Sequence, residues 1–361
     1  MRVRSWGKMS GRRLRRGVRP DKRGLRLAAL AMLLSVAGLA QLAAAEPLQL
    51  QLPIACSPGA DCFVQNYPDD DAATGAARDY ACTRATYDGH DGTDIRVLSI
   101  EAAKGVKVLA AAAGRVRGMR DGVPDHLMRT AADKAALNGH ECGNGVAIAH
   151  GNGWETQYCH MRQGSLRVHQ GEPVAAGADL GDVGQSGETQ FAHVHITVRH
   201  NGKPVDPFTG RPLGDAAATC AAASGVPLWT PAVAAALGTP QTVVLETAFS
   251  DHAPSTEALE DGHASVAAPS ASSQTLLLFG RIMHLRAGDR VHFHVAFPIG
   301  SALDQTSDPS PTDSAIRVFA GSRERSGALW PAGRYAGVVE VLRGDAVVAK
   351  GESVLEMTVA R

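Results

Sequence analysis

Four short stretches place metal-binding and proton-handling side chains at usable spacing. In YDGHDGTDIRV, His90 and Asp94 stand four residues apart. Four is an even offset, so in an extended segment both side chains face one side. Gly89 and Gly92 make the helical alternative poor. One imidazole and one carboxylate are two of the three protein ligands that a catalytic zinc needs. In AHVHITV, His193 and His195 share a strand face, and one of them could complete the set. The other would then sit about 6–7 Å along the strand, close enough to touch the attacking water or a substrate. His160, in TQYCHM, adds a further imidazole. The fourth stretch, VHFHV, repeats the His-x-His spacing at His292 and His294, with His284 upstream. It lacks a nearby acidic partner bracketed by glycines and reads as the outer face of a strand. Singly, each of these groups reads as well as turn or strand residues with solvated side chains.

The elements that must position them are strands. From Ala85 to Pro207, short alternating apolar runs are cut by glycine, with almost no helical periodicity. GNGVAIAHGNGWETQYC reads as strand, turn and strand about Gly151-Asn152-Gly153, which places His160 in the same sheet system and brings Cys142 almost opposite Cys159. Asp125 to Gly139 is the exception, a short helix or an ordered loop, within an insertion from Arg120 to Glu141 that carries His126 and His140. Residues 215–240 turn to Ala, Thr and Pro and read as a linker. Beyond them, strands recur at sandwich-like spacing. The expected fold is mainly β: a compact antiparallel β-sheet domain at 85–214, followed by a C-terminal β-sandwich-like domain at 241–361.

The first 45 residues stand apart. A basic stretch, an apolar run and Ala43-Ala44-Ala45 describe a secretory signal peptide, with an uncleaved membrane anchor as the alternative. This leader holds 11 of the 36 Lys+Arg and one of the 36 acidic residues, so the remainder has 25 basic against 35 acidic side chains. A net charge near −10 argues against a nucleic-acid partner. The six cysteines all follow the leader, an even count that fits three disulfides in an exported chain. Cys142–Cys159 is the pair that the hairpin favours. Cys56–Cys62, within an N-terminal disulfide-bearing segment at 46–84, and Cys82–Cys220 are the remaining pairing, which spacing alone does not fix. The acidic run QNYPDDDAATGAARDY lacks the spaced ligands of a calcium loop and reads as a turn or pro-segment.

Taken in order, HDGTD, GNGVAIAHGNGWETQYCHM and GDVGQSGETQFAHVHITVRHNGKPVDP resemble the LytM/lysostaphin-type zinc metallopeptidases. That family has H-x-G-x-D, Y-x-H and H-x-H motifs in this order, and the resemblance covers roughly residues 86 to 208. It implies that 85–214 is a peptidase domain in which His90, Asp94 and His195 hold one zinc ion. It also implies that His160 and His193 are catalytic histidines beside it, in a zinc-assisted amide hydrolysis. The implied substrate is the peptide part of peptidoglycan, its stems or cross-links, and the implied location is secreted or periplasmic. Any membrane contact would come through the leader if it is not cleaved. The C-terminal domain is free to bind cell wall or a protein partner. Two departures stand out: Gln190-Phe191-Ala192 replaces the small turn usual before the H-x-H motif, and the 120–141 insertion falls where a groove wall is expected. A non-catalytic regulator of the same fold, or a peptidase acting on a protein, are the competing functions; regulators typically lose ligands, and all five positions are kept here.

Overall fold

The computed structural model describes residues 48–214, 225–262, 266–300 and 302–358; the leader, Cys220 and the first part of the linker lie outside them. Eleven strands come first: β1 (Cys62–Asn66), β2 (Thr93–Val97), β3 (Lys107–Leu109), β4 (Gly114–Arg120), β5 (Asn144–Gly151), β6 (Trp154–Met161), β7 (Pro173–Val174), β8 (Asp179–Asp182), β9 (His193–His200), β10 (Lys203–Asp206) and β11 (Arg211–Pro212). The main sheet runs β1-β2-β9-β6-β5-β4-β7, and β10 with β11 extends it beside β9. Its pairings are antiparallel. β3 and β8 form a separate ribbon.

Side-chain parity explains the sheet's two faces. Val194, Ile196 and Val198 of β9 and Ile95 and Val97 of β2 are fully buried in one core with Val146, Ile148 and Tyr158. Leu50 and Ile54 join that core from the N-terminal side, and Leu228, Trp229 and Leu237 from beyond Gly225. Asp94, Arg96, His193, His195 and Thr197 occupy the alternate positions and so project from the other face. The register sets Asp94 directly opposite His195, and Arg96 opposite His193.

The β5–β6 hairpin turns through Asn152 and Gly153, whose φ values of 49° and 79° suit the two-residue turn that matches strand twist. Cys142 and Cys159 are bridged across it with their Cα atoms 4.8 Å apart, and Cys56 is bridged to Cys62. Cys82 is also disulfide-bonded. Four short helices are described: α1 (Ser99–Ala102), α2 (Ala131–Leu137), α3 (Pro231–Leu237) and α4 (Thr256–Glu260). The insertion thus resolves into a helix. The Thr130 hydroxyl caps the Asp133 amide, and the Asp133 carboxylate accepts from the Thr130 amide, a reciprocal cap that starts α2.

The remaining strands are β12 (Val243–Ser250), β13 (Thr275–Leu285), β14 (Arg290–Ala296), β15 (Leu303–Thr306), β16 (Ser314–Glu324), β17 (Gly333–Arg343) and β18 (Ala346–Met357). They form sheets of order β12-β13-β16 and β15-β14-β17-β18. Leu276, Leu278 and Ile282 of β13 share a core with Val291, Phe293 and Val295 of β14 and Val339 of β17, so the two sheets face each other as a sandwich.

The outer face of β13 meets the first sheet. Fully buried Arg96 donates from Nη2 to Glu260 Oε1 at 2.9 Å, and fully buried Arg281 of β13 pairs with the same carboxylate. The His284 ring nitrogen Nε2 lies 2.8 Å from the Gln65 carbonyl oxygen of β1. Two guanidinium groups thus share one buried carboxylate at the seam, two residues along β2 from Asp94.

Candidate metal centre

Three ligand atoms converge on the polar face of the main sheet. His90 Nε2 lies 3.3 Å from His195 Nδ1 and 3.2 Å from Asp94 Oδ1, and His195 Nδ1 lies 2.8 Å from Asp94 Oδ1. A tetrahedral ion with bonds of about 2.0–2.1 Å needs donors roughly 3.3 Å apart. Among the described residues one other group of potential ligands draws as close, Cys56, Asp61 and Cys62, but its two sulfurs form a disulfide.

Local geometry explains how each side chain arrives. Gly92 lies beneath the His195 ring: a Cβ there would stand 2.6 Å from Nε2, so any side chain would push the imidazole away. Asp94 is steered by Asn66 of β1, whose Nδ2 donates to Oδ2 at 2.7 Å and leaves Oδ1 toward the histidines. His160 reaches the centre by an irregularity in β6. Its φ is +61°, its amide donates to the Cys142 carbonyl, and the pairing with β5 shifts register between Asn144 and Val146. Gly145 permits this close passage, since a Cβ there would lie 2.2 Å from the Tyr158 carbonyl oxygen. His193 Nε2 is 3.4 Å from Asp94 Oδ1, and its ring centroid is 4.6 Å from that of His160. The structure therefore brings all five residues singled out in the sequence into one cluster.

Each imidazole has one nitrogen committed outside the cluster. His90 Nδ1 donates to the Tyr67 carbonyl at 2.7 Å, His160 Nδ1 to that of Ser186 at 2.8 Å, and His193 Nδ1 to that of Phe191 at 2.9 Å. Those bonds place a proton on Nδ1 and turn Nε2 toward the cluster. His195 is reversed: its Nε2 bonds the Thr197 hydroxyl at 2.9 Å, and Nδ1 is the atom that faces Asp94 and His90.

Charge follows the same geometry. Burial alone would raise the Asp94 carboxyl, but the neighbouring His90 and His193 and the bonds from His193 and His195 hold it well below the usual range. Burial, with the nearby His193 and His195, keeps His160 well below 6.5 and hence neutral. Burial likewise opposes charge on His195, but the bonds to Asp91 and Asp94 outweigh it and lift the ring to about 9. The centre is a buried carboxylate ringed by imidazoles, a donor set of two nitrogens and one oxygen suited to zinc.

Sequence reading missed Asn66, Thr197 and Asp91. Thr197 carried a usable signal, since it lies two residues beyond His195 on the same strand face. The His292–His294 pair gains Asp304 at 3.1 and 3.2 Å and Glu340 at 3.5 Å from neighbouring strands, partners that local sequence could not reveal. They remain a solvent-facing group.

The described residues thus combine a mainly antiparallel β sheet with a His/Asp/His cluster that could hold a metal ion. Residues 88–207 match the model of peptidase family M23, and this segment is a LytM-type peptidase domain of that family. Over 116 residues the chain is 30% identical to the cell division protein DipM of Caulobacter vibrioides, covering 30% of this chain and 16% of the relative. Over 67 residues it is 40% identical to the DD-carboxypeptidase/endopeptidase Mpg of Neisseria meningitidis, covering 19% of this chain and 15% of the relative. The chain thus spans about a sixth of the length of these curated relatives. Among solved structures, the catalytic domain of the prophage-encoded M23 protein EnpA of Enterococcus faecalis aligns at 21% identity, with a TM-score of 0.30, over 44% of this chain and 95% of that one.

Proposed function

We propose that the protein is an exported zinc metalloendopeptidase that cuts peptide bonds in the stems or cross-links of bacterial peptidoglycan. The observation that carries the reading is the convergence of three donor atoms, each on a side chain already oriented by an outer hydrogen bond. His90 Nε2, Asp94 Oδ1 and His195 Nδ1 would hold the ion. Zinc, when bound, polarises the scissile carbonyl and makes water a competent nucleophile near neutral pH. His160 and His193 turn Nε2 toward the centre, where one ring takes up the proton of the attacking water and, once protonated there, returns it or donates to the developing oxyanion. Nδ1 of each ring is tied to a carbonyl, so the proton transfers fall to Nε2.

Peptidoglycan as substrate draws support from the relatives, one described as a cell division protein and another as a DD-carboxypeptidase/endopeptidase. Export rests on the leader reading of residues 1–45, and the domain division at 215–240 on the change of composition there. The C-terminal sandwich is proposed to engage wall polymer or a protein partner. The test is muropeptide analysis of purified sacculi incubated with the mature chain, with zinc and with a chelator. New peptide-cleaved products that appear with zinc and vanish with chelator are expected. Absence of new products under every metal condition would sink the peptidoglycan reading.

A further inference from the structure

The four histidines of the centre are not held alike. His90, His160 and His193 lean on backbone carbonyls, which the fold supplies whatever the side chains. His195 leans on side chains alone. Its Nε2 donates to Thr197 Oγ1 at 2.9 Å, and that hydroxyl, buried in the sheet, donates in turn to Asp91 Oδ1 at 3.2 Å. Asp91 Oδ1 also lies 3.3 Å from Nε2 itself. The other carboxylate oxygen accepts from Arg199 Nη2 at 3.1 Å, and Arg199 Nη1 donates to Gln157 Oε1 at 2.7 Å. A single directed chain therefore runs from the ring to the outer end of the strand. Asp91 can only accept and Arg199 only donate, so the Thr197 hydroxyl proton goes to Asp91 and the ring must carry a proton on Nε2.

We infer that Asp91, acting through Thr197, is a positioning residue that sets the tautomer and orientation of His195 as a zinc ligand, with Arg199 holding the carboxylate in place. The inference rests on the metal-centre reading above. A carboxylate behind a ligating imidazole locks the ring's orientation and strengthens its donor nitrogen, and removing such a partner typically weakens metal binding by roughly 10- to 100-fold. Thr197 matters for direction. Its hydroxyl both accepts from the ring and donates to Asp91, which a methyl group cannot do. Asp91 sits inside the H-x-G-x-D motif, immediately after His90, so one loop supplies a ligand, the glycine beneath His195 and the carboxylate behind it.

The test uses the mature chain and zinc alone. Zinc affinity is measured by chelator competition for wild type, Asp91→Asn, Thr197→Val and Thr197→Ser, with melting of each metal-free form as the control for folding. Affinity is expected to fall roughly 10- to 100-fold in Asp91→Asn and Thr197→Val and to be largely retained in Thr197→Ser, which keeps the hydroxyl. Long-range proton–nitrogen correlation of the zinc-loaded wild type should show the His195 ring protonated on Nε2, and that proton should exchange faster with solvent in Thr197→Val. Wild-type affinity in both Asp91→Asn and Thr197→Val, or a zinc-loaded His195 ring without a proton on Nε2, overturns the inference. Wild type that binds no zinc would instead overturn the metal-centre reading, so the two failures are separable.

Discussion

The two His-x-His strands, β9 and β14, have the same local pattern and opposite settings. In each, apolar residues alternate with the histidines and fill a core: Val194 and Ile196 in one, Val291, Phe293 and Val295 in the other. The histidines then occupy the second face. On β9 that face is itself covered, and the His193 and His195 side chains are 4% and 12% exposed. On β14 it is open, and His292 and His294 are 24% and 42% exposed beside an Asp304 that is 67% exposed. Carboxylates lie within reach in both places. What differs is burial and the outer bonds: Asp94 is fixed by Asn66 and buried, whereas Asp304 bonds the two rings from the surface. Water competes for every donor on β14 and for few on β9, so one arrangement is preorganised and the other is not.

That contrast can be broken most completely at Asp94. Asp94→Ala should take bound zinc from one ion per chain to none and abolish turnover, read by elemental analysis and muropeptide release. Stoichiometric zinc in this variant would refute the ligand assignment. His160→Ala should separate binding from chemistry, keeping zinc while kcat falls by about 10²- to 10⁴-fold.

Glu260→Ala probes the seam between the two regions. It strips the carboxylate from two buried guanidinium groups and should cost about 3–5 kcal/mol in denaturant unfolding. A loss below about 1 kcal/mol would mean that water enters and rescues the charges.

Acid should act through His160. Its folded-state pKa lies below 6.5 because burial disfavours the charged ring. The stability held by this group is therefore complete above about 6.5 and is lost as pH falls toward the lowered value, because only the unfolded state takes up the proton. His160→Gln should flatten that part of the stability–pH curve; an unchanged slope would place the titration elsewhere. The smallest effect belongs to β14. His292→Ala with His294→Ala should leave zinc content and turnover unchanged and stability within about 0.5 kcal/mol, and any loss of zinc there would erase the distinction between the two strands.

Much of the centre was legible in local spacing. Even offsets put His90 with Asp94, and His193 with His195, on shared faces because strand side chains alternate. The Gly-Asn-Gly turn fixed the β5–β6 hairpin, and with it the Cys142–Cys159 bridge, because few turns accept two left-handed residues. The insertion was ambiguous between helix and loop, and the Thr130–Asp133 cap decided it. The position of His160 was harder to read, since it depends on a register shift opposite Gly145 that periodicity does not encode.

By itself, then, the sequence determined which residues are able to ligate a metal and which faces they share, since both follow from side-chain chemistry and a period of two. Only the tertiary structure decided which face is sealed from water and which ring nitrogen is free. It alone brought Asn66, Asp91 and Thr197 behind the ligands and joined Arg96 to Glu260 across 164 residues. Coverage and outer hydrogen bonds come from segments distant in the chain, packed by cores that the local pattern does not specify. The same His-x-His spacing therefore yields a buried, oriented centre on β9 and a solvated pair on β14.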